Sequence, residues 1–369
     1  MNKKLKIAQI APFWFDVPPK DYGGTERIVS YITEELVKRG HEVTLFASEN
    51  SNTKAKLITP ISSDMLKHIE FYCDTKYTFI NTYVNYYVFS KADDFDIIHS
   101  HSYFYSLPFC DFVKIPTIHT LHSQLPRASE AENEVLRKFR HFNFISISNE
   151  FRNHFDLNYI ATVYHGLPLD LFPFSIEGGQ NLLWIGRASK NKGEDDAIEV
   201  TKKTGRKLVM AASIRKDTVS YFNQFIKPKL NQSIEFAHNV KFEDTPKYYG
   251  TAKIFLFPVK WKEPFGLILI ESLACGTPVV AYARGSIPEI IKDGETGFIV
   301  NPSESEILGN WIIKKTGIEG LCEAVERIYS LPEAQYRQMR KNCRAHAEKN
   351  FTVEKMVDKY EQVYEKLIR

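Results

Sequence analysis

Apolar positions along this chain fall into short runs separated by longer stretches in which they return every third or fourth residue. Residues 6–11, 41–47, 95–100, 117–121, 144–148 and 161–165 read as strands in the first half, and 182–185, 207–212, 233–237, 254–259 and 279–283 in the second. Between them lie helices. Ile28, Ile32 and Leu36 share one face of a helix that Gly40 ends; Leu267, Ile270 and Ala274 share a face of a shorter one that Gly276 stops. Strand, helix and strand in alternation require a parallel sheet. The expected fold is therefore α/β, with each half a doubly wound sheet.

The texture changes at 165–174, HGLPLDLFPF, where Gly166, Pro168 and Pro173 interrupt the pattern. This predicts a hinge and two domains, residues 1–170 and 171–351. At the far end Thr352 can cap a helix in which Val353, Met356, Val357, Tyr360, Val363, Tyr364 and Leu367 recur at helical spacing. So long an apolar stripe must be buried. Tyr83, Tyr86 and Tyr87 sit on another predicted helix, where core packing is the leading reading and an acceptor-binding platform the other. A charged helix over 127–141 carries Arg127, Arg137, Lys138 and Arg140, which reads as a solvated face or as a surface for an anionic acceptor or membrane.

Composition narrows the class. With 369 residues, 43% hydrophobic and 25% charged, the chain is long enough for two full cores. Its 48 basic and 45 acidic residues leave a net charge of only +3, which does not call for a nucleic-acid partner. The five cysteines, Cys73, Cys110, Cys275, Cys322 and Cys343, never stand at CxxC spacing, which argues against a zinc site or a disulfide framework and for a reducing compartment. The first residues suggest a leader only superficially, because Gln9 and Pro12 interrupt their apolar run. No stretch of about 18 apolar residues is present to span a bilayer. A cytoplasmic location follows as an expectation.

The candidate chemistry sits in strand-to-helix loops. Glu263 precedes the 267–274 helix and Glu271 lies on it, so both face the carboxyl edge of the sheet, where open α/β proteins bind ligands. Taken alone, they read equally as a first-turn acid and a solvated side chain. Arg187 and Lys192 stand in GRASKNKG, where a guanidinium fork and an ammonium can neutralise a diphosphate, or merely aid solubility. Gly23 and Gly24 open the first helix with GGTE, a turn whose bare N–H groups can approach a phosphate. It is not the GxGxxG of a dinucleotide-binding oxidoreductase. His119 and His122 end one strand and, three apart, point to opposite faces.

EPFGLILIESLACGTPVVA followed by GSIPEII and DGETGFIV, together with GRASKNKG and GGTE, closely resembles the retaining glycosyltransferases of the family 4 type, group 1. That resemblance covers nearly the whole chain. It implies the GT-B fold, two Rossmann-like doubly wound parallel-sheet domains facing across a cleft, with the last helix, 352–369, crossing back onto the first domain. It also implies a nucleotide-sugar donor held mainly by the second domain. Glu271 would accept from the ribose hydroxyls, Arg187 and Lys192 would hold the diphosphate, and Glu263 would grip the sugar with the backbone N–H groups of Phe265, Gly266 and Leu267. Val240 would pack on the base, although His238 and Asn239 depart from the family's usual glycine there. From the first domain, Gly23 and Gly24 would approach the phosphate and His122 the sugar, leaving His119 a structural role.

The resemblance implies transfer of a sugar, from a UDP-sugar first and GDP-mannose next, to a hydroxyl acceptor such as a glycan or lipid-linked glycan. It implies retention at the anomeric carbon and neither cofactor nor metal, in keeping with the lack of an evident DxD or His-rich ligand cluster near the expected cleft. A sugar-phosphate synthase, a phosphorylase, or a non-catalytic sugar-nucleotide-binding protein are the alternatives on this fold. Acceptor recognition is expected in the loops at 16–22 and 71–105. A peripheral contact with the inner face of a membrane is compatible with the mildly basic charge. Oligomeric state is not readable.

Overall fold

The computed structural model describes residues 4–20, 23–62, 75–123, 130–214, 218–238 and 240–368. In chain order the main elements of the first half are β1 (Lys6–Ile10), α1 (Gly24–Lys38), β2 (Glu42–Phe46), β3 (Lys56–Ile58), α2 (Thr75–Phe89), β4 (Ile97–Ser100), β5 (Thr117–Thr120), α3 (Glu130–Lys138), β6 (Asn143–Ser146) and β7 (Tyr159–Thr162). Then come β8 (Asn181–Arg187), α4 (Glu194–Thr204), β9 (Leu208–Ser213), β10 (Ile234–His238), α5 (Thr245–Gly250), β11 (Ala252–Phe257), α6 (Leu267–Ala274), β12 (Val279–Tyr282), β13 (Gly297–Val300), α7 (Gly317–Tyr329), α8 (Glu333–Asn350) and α9 (Val353–Ile368).

The chain divides into two compact units, Met1–Gly166 with Val353–Arg369, and Leu167–Thr352. Each is a parallel sheet. Strand order is β3-β2-β1-β4-β5-β6-β7 in the first unit and β10-β9-β8-β11-β12-β13 in the second. Chain direction across the sheet therefore reverses between β1 and β4 in one unit and between β8 and β11 in the other. Such reversal points leave a crevice at the carboxyl ends of the strands, because the crossovers on either side run to opposite faces.

Several boundaries moved from those the pattern predicts. β7 ends at Thr162, before His165, and β8 runs on through Gly186 to Arg187. β5 ends at Thr120, so His122 lies beyond the strand and its orientation is free of the alternation that governs His119. α3 spans only nine residues; Arg137 and Lys138 pair with Glu134 on its exposed surface, as a solvated face should, while Arg127 lies outside the described residues. Leu267 is only half-buried, whereas Leu269 to Ala274 are all buried, so α6 is enclosed on nearly every side rather than along one stripe.

α2 corrects the expectation of core packing for Tyr83 and Tyr86, while Tyr87 packs against the core as expected. Val84, Val88 and Phe89 enter the core with Ile80 and Tyr87 beside them, but Tyr83 is 41% and Tyr86 55% exposed, and Phe79 74%. Apolar residues are not gathered on one face of this helix, and Asn81 and Asn85 are buried while these rings face outward.

In the first unit α9 lies along α1. Arg39 donates to Asp358 and Glu361 at 2.7 and 2.6 Å, and Tyr360 and Tyr364 are fully buried. In the second unit the fully buried Arg340 of α8 ties loop ends together. It donates to the carbonyl oxygens of Ser175, Ala252, Gly250 and Cys275 and to the Tyr336 hydroxyl, at 2.7 to 3.3 Å. Four carbonyls share one guanidinium, and its removal strands them. Arg340→Met should therefore lower unfolding stability by about 3 kcal/mol, seen as a lower urea midpoint at unchanged slope; Arg340→Lys should recover only part of it, because an ammonium cannot reproduce the fork.

Candidate active site

At the reversal point of the second unit, β8 and β11 are neighbours, so the loops that leave their carboxyl ends are neighbours too. Arg187 ends β8 and Lys192 follows in its loop. Glu263 stands in the loop after β11. Lys192 Nζ lies 3.3 Å from Glu263 Oε2, and the Trp261 indole N–H donates to that same oxygen at 3.0 Å. The ammonium also stands 4.6 Å from the centre of the Trp261 ring, a cation–π contact. Glu263 is 9% exposed and the Lys192 side chain 22%, so a carboxylate and a cation meet in a partly dehydrated place where charge interactions are strengthened.

Backbone contacts hold the two loops in that relation. Lys260 N–H donates to the Asn191 carbonyl at 2.9 Å, and the Lys260 ammonium pairs with Asp195 and Asp196 at the start of α4. The Trp184 indole donates to the Lys192 carbonyl. Gly193, at φ +73°, lies so close to the Pro258 carbonyl that a Cβ has no room. On the other side, Ser286 N–H donates to the Glu263 carbonyl at 2.9 Å and its hydroxyl to the Phe265 carbonyl at 2.7 Å. Gly285, at φ +62°, presses directly on the Glu263 backbone. Gly266 turns the chain into α6 at φ +87°, with the backbone N–H groups of Gly266 and Leu267 opening the helix and Phe265 buried beneath.

Glu271 is 5% exposed, which removes the reading of it as a solvated side chain. It accepts a hydrogen bond from the Tyr249 hydroxyl of α5 at 3.0 Å. Burial, and then the carboxylate itself, hold the Tyr249 phenol well above its ordinary pKa, so it remains a donor and aims one carboxylate oxygen. Val240 is half-buried, and Asn239 beside it lies outside the described residues.

The first unit has its own cluster at its reversal point. Gly23 after β1 is buried at φ +144°, against Pro19 and the Glu26 carboxylate, while Gly24 is exposed at the first position of α1. Burial pushes the Glu26 carboxyl up to about 7. Past β4 and β5, His122 Nε2 lies 2.8 Å from His101 Nδ1, and its ring stacks on His165 with centroids 5.2 Å apart. Burial pushes His122 down to about 3, so it is a neutral imidazole at physiological pH. His119 is fully buried, 3.0 Å from the Ser106 hydroxyl and 3.4 Å from the Cys110 sulfur. It packs the sheet and faces no crevice.

The structure thus brings Lys192 and Glu263 together, joins Glu271 to Tyr249, and places Gly23, Gly24 and His122 in the other unit. Trp261, Tyr249, His101 and Gln9 are polar partners that sequence reasoning did not single out. Trp261 had a signal, an indole two residues before Glu263; the others became visible only when the topology was known. Among the described residues no group of three or more His, Cys, Asp or Glu could hold a metal ion, and no helix is long and apolar enough to cross a membrane.

Known proteins resemble this chain in sequence and fold. The family described as "Glycosyl transferases group 1" matches residues 173–348, and "Glycosyltransferase Family 4" matches residues 22–170. The chain belongs to the group 1 glycosyltransferases, and its two Rossmann-like sheets are the GT-B fold. A Klebsiella pneumoniae protein described as an uncharacterized 41.2 kDa protein in the cps region is 27% identical over 188 residues, 50% of this chain and 46% of that relative. The match thus spans about half the length of that curated relative. Sucrose-phosphate synthase from Thermosynechococcus elongatus superposes with a TM-score of 0.78 over 99% of both chains at 19% identity. Anabaena HepE, solved in complex with UDP and glucose, gives 0.72 over 97% of this chain and 99% of its own at 16% identity.

Two outcomes follow from the packing. Gly285→Ala should cost about 2 kcal/mol of stability, because the new Cβ meets the Glu263 backbone at a left-handed φ; an unchanged melting temperature would mean that this contact does not hold the loop. Glu194, fully buried at the first position of α4, has its carboxyl pushed up to about 7 by burial. Between the ordinary carboxylate value and 7 the folded state keeps a proton that the unfolded chain has released, so stability falls as pH rises through that window. Glu194→Gln should therefore raise the melting temperature relative to wild type more at pH 8 than at pH 5.

Proposed function

We propose that the protein transfers a sugar from a nucleoside diphosphate sugar to a hydroxyl of a glycan or lipid-linked glycan, with retention at the anomeric carbon. The observation that carries this reading is the Lys192–Glu263–Trp261 cluster at the reversal point of the second sheet. Such a site pairs a cation for a diphosphate with a carboxylate whose position is fixed by an indole. Glu263 accepts from sugar hydroxyls, and the N–H groups of Phe265, Gly266 and Leu267 assist at the helix start. Arg187 and Lys192 neutralise the diphosphate, and Glu271, aimed by Tyr249, accepts from the ribose. Val240 packs against the base. Gly23 and Gly24 serve the phosphate and His122 the sugar.

In the reaction the bond from the anomeric carbon to the diphosphate oxygen breaks and its electron pair stays on the phosphate. The acceptor oxygen bonds to the same face of the carbon and its proton passes to the departing phosphate. Arg187 and Lys192 stabilise the charge that develops there, so the reading needs neither a metal nor a separate general base. The complex of HepE with UDP and glucose supports a uridine donor ahead of GDP-mannose. Exposed rings of α2, Phe79, Tyr83 and Tyr86, offer stacking faces that suit an acceptor sugar or lipid.

The test is thermal stabilisation by UDP, UDP-glucose, GDP and GDP-mannose, with and without EDTA, followed by turnover with whichever donor binds. One base should raise the melting temperature in EDTA; no shift with any of the four would contradict the donor assignment. Glu263→Gln should keep the fold and lower turnover by about 100-fold or more, and a well-folded variant with normal turnover would remove Glu263 from the chemistry.

A further inference from the structure

Behind His122 runs a buried chain of polar side chains that the proposed function does not use. Gln9 on β1 and His99 on β4 are fully buried, and His101, just past β4, is 1% exposed. Gln9 Oε1 lies 2.8 Å from His101 Nε2. The other end of that amide donates to the Tyr364 hydroxyl of α9 at 3.3 Å and lies 3.4 Å from His99 Nδ1. His99 Nδ1 in turn stands 2.7 Å from the Tyr364 hydroxyl, and His99 Nε2 stands 2.8 Å from Thr120 Oγ1. Burial holds His99 and His101 well below the usual imidazole pKa, so each ring carries a single proton.

A chain of neutral groups leaves little freedom in where the protons sit. The Gln9 amide oxygen has no proton to give, so the proton in its bond with His101 is on His101 Nε2. His101 Nδ1 is then bare, and the 2.8 Å bond to His122 must use a proton on His122 Nε2. His122 has no second proton. Its Nδ1 is left as a lone-pair acceptor, and that atom is buried without a hydrogen-bond partner. A buried acceptor with nothing to accept is costly, and a substrate hydroxyl is the donor that relieves it.

We infer that Gln9 and His101 are positioning residues that fix His122 as its Nε2–H tautomer, presenting Nδ1 as the acceptor for a hydroxyl of the transferred sugar. The sugar role rests on the proposed function; the tautomer rests on the hydrogen-bond chain among neutral rings. The stacked His165 ring holds the plane of the imidazole, and Tyr364 holds the far end of the chain, so His122 is oriented from α9 as well as from the sheet.

The experiment is a long-range proton–nitrogen NMR spectrum of the full chain labelled with 15N-histidine at pH 7, with His122 assigned by the loss of its signals in His122→Phe. The wild type should show His122 protonated on Nε2 only. A proton on Nδ1, the result if the Gln9 amide faces the other way, or a doubly protonated ring would overturn the inference. Gln9→Leu removes the oxygen that sets the direction, so it should mix the His122 tautomers and lower kcat about tenfold or more, with donor KM little changed. Gln9→Glu keeps an acceptor oxygen at that place and should restore both readouts. Unaltered tautomer and kcat in Gln9→Leu would contradict the positioning role. Absence of turnover with every nucleotide sugar would overturn the proposed function and the sugar role of Nδ1 with it, while the spectrum would still decide the tautomer.

Discussion

The contact between Lys192 and Glu263 rests on a constraint of topology more than on the strength of one ion pair. Two residues 71 apart in sequence can meet because β8 and β11 are adjacent parallel strands whose crossovers leave on opposite sides. The loops then need tight control, and the chain supplies it with backbone rather than side-chain mass. Gly193 admits the Pro258 carbonyl, Gly285 admits the Glu263 backbone, and Ser286 holds two carbonyls of the Glu263–Phe265 turn. Each of these supports is local to the second unit. Trp261 then does two things with one ring: its N–H fixes the carboxylate and its face carries the ammonium.

The first unit solves a different problem. Its sheet interior holds Gln9, His99, His101, His119 and Thr120, polar groups that would be costly inside a core if unpartnered. The chain returns α9 to this unit, and its tyrosines complete the hydrogen bonding. Tyr364 bonds with Gln9 and His99, and the Tyr360 hydroxyl lies 3.2 Å from Thr120 Oγ1. Outside that network Arg39 and His41 are tied to Glu361. The last helix thus contributes polar partners as well as its apolar stripe.

Strand and helix succession, the hinge region and the strand-to-helix loops were legible because period-two and period-3.6 patterns, glycines and prolines act over a few residues. GRASKNKG and EPFG could be read as candidate ligand loops for the same reason. What could not be read was pairing at a distance. Glu271 looked as fit for solvent as for a site until Tyr249, 22 residues earlier, was found against it. Lys192 and Glu263 were assigned to different parts of a donor, with no sign that they touch each other. Tyr83 and Tyr86 looked like core residues because aromatic content says nothing about which side of a helix without an apolar stripe the sheet covers. His119 and His122 were separated by alternation along a strand, although the strand ends at Thr120 and their hydrogen-bond partners set their difference.

If the Lys192–Glu263–Trp261 cluster receives the sugar diphosphate of the donor, removing its carboxylate must separate sugar binding from diphosphate binding. Calorimetric titration of wild type and Glu263→Ala with a nucleotide sugar and with the bare nucleoside diphosphate, UDP-glucose against UDP and GDP-mannose against GDP, reads that separation. The variant should lose affinity for the sugar nucleotide, while affinity for the diphosphate is kept or increased, since Lys192 is released from its carboxylate. Equal loss for both ligands, or no change in either, would contradict the assignment.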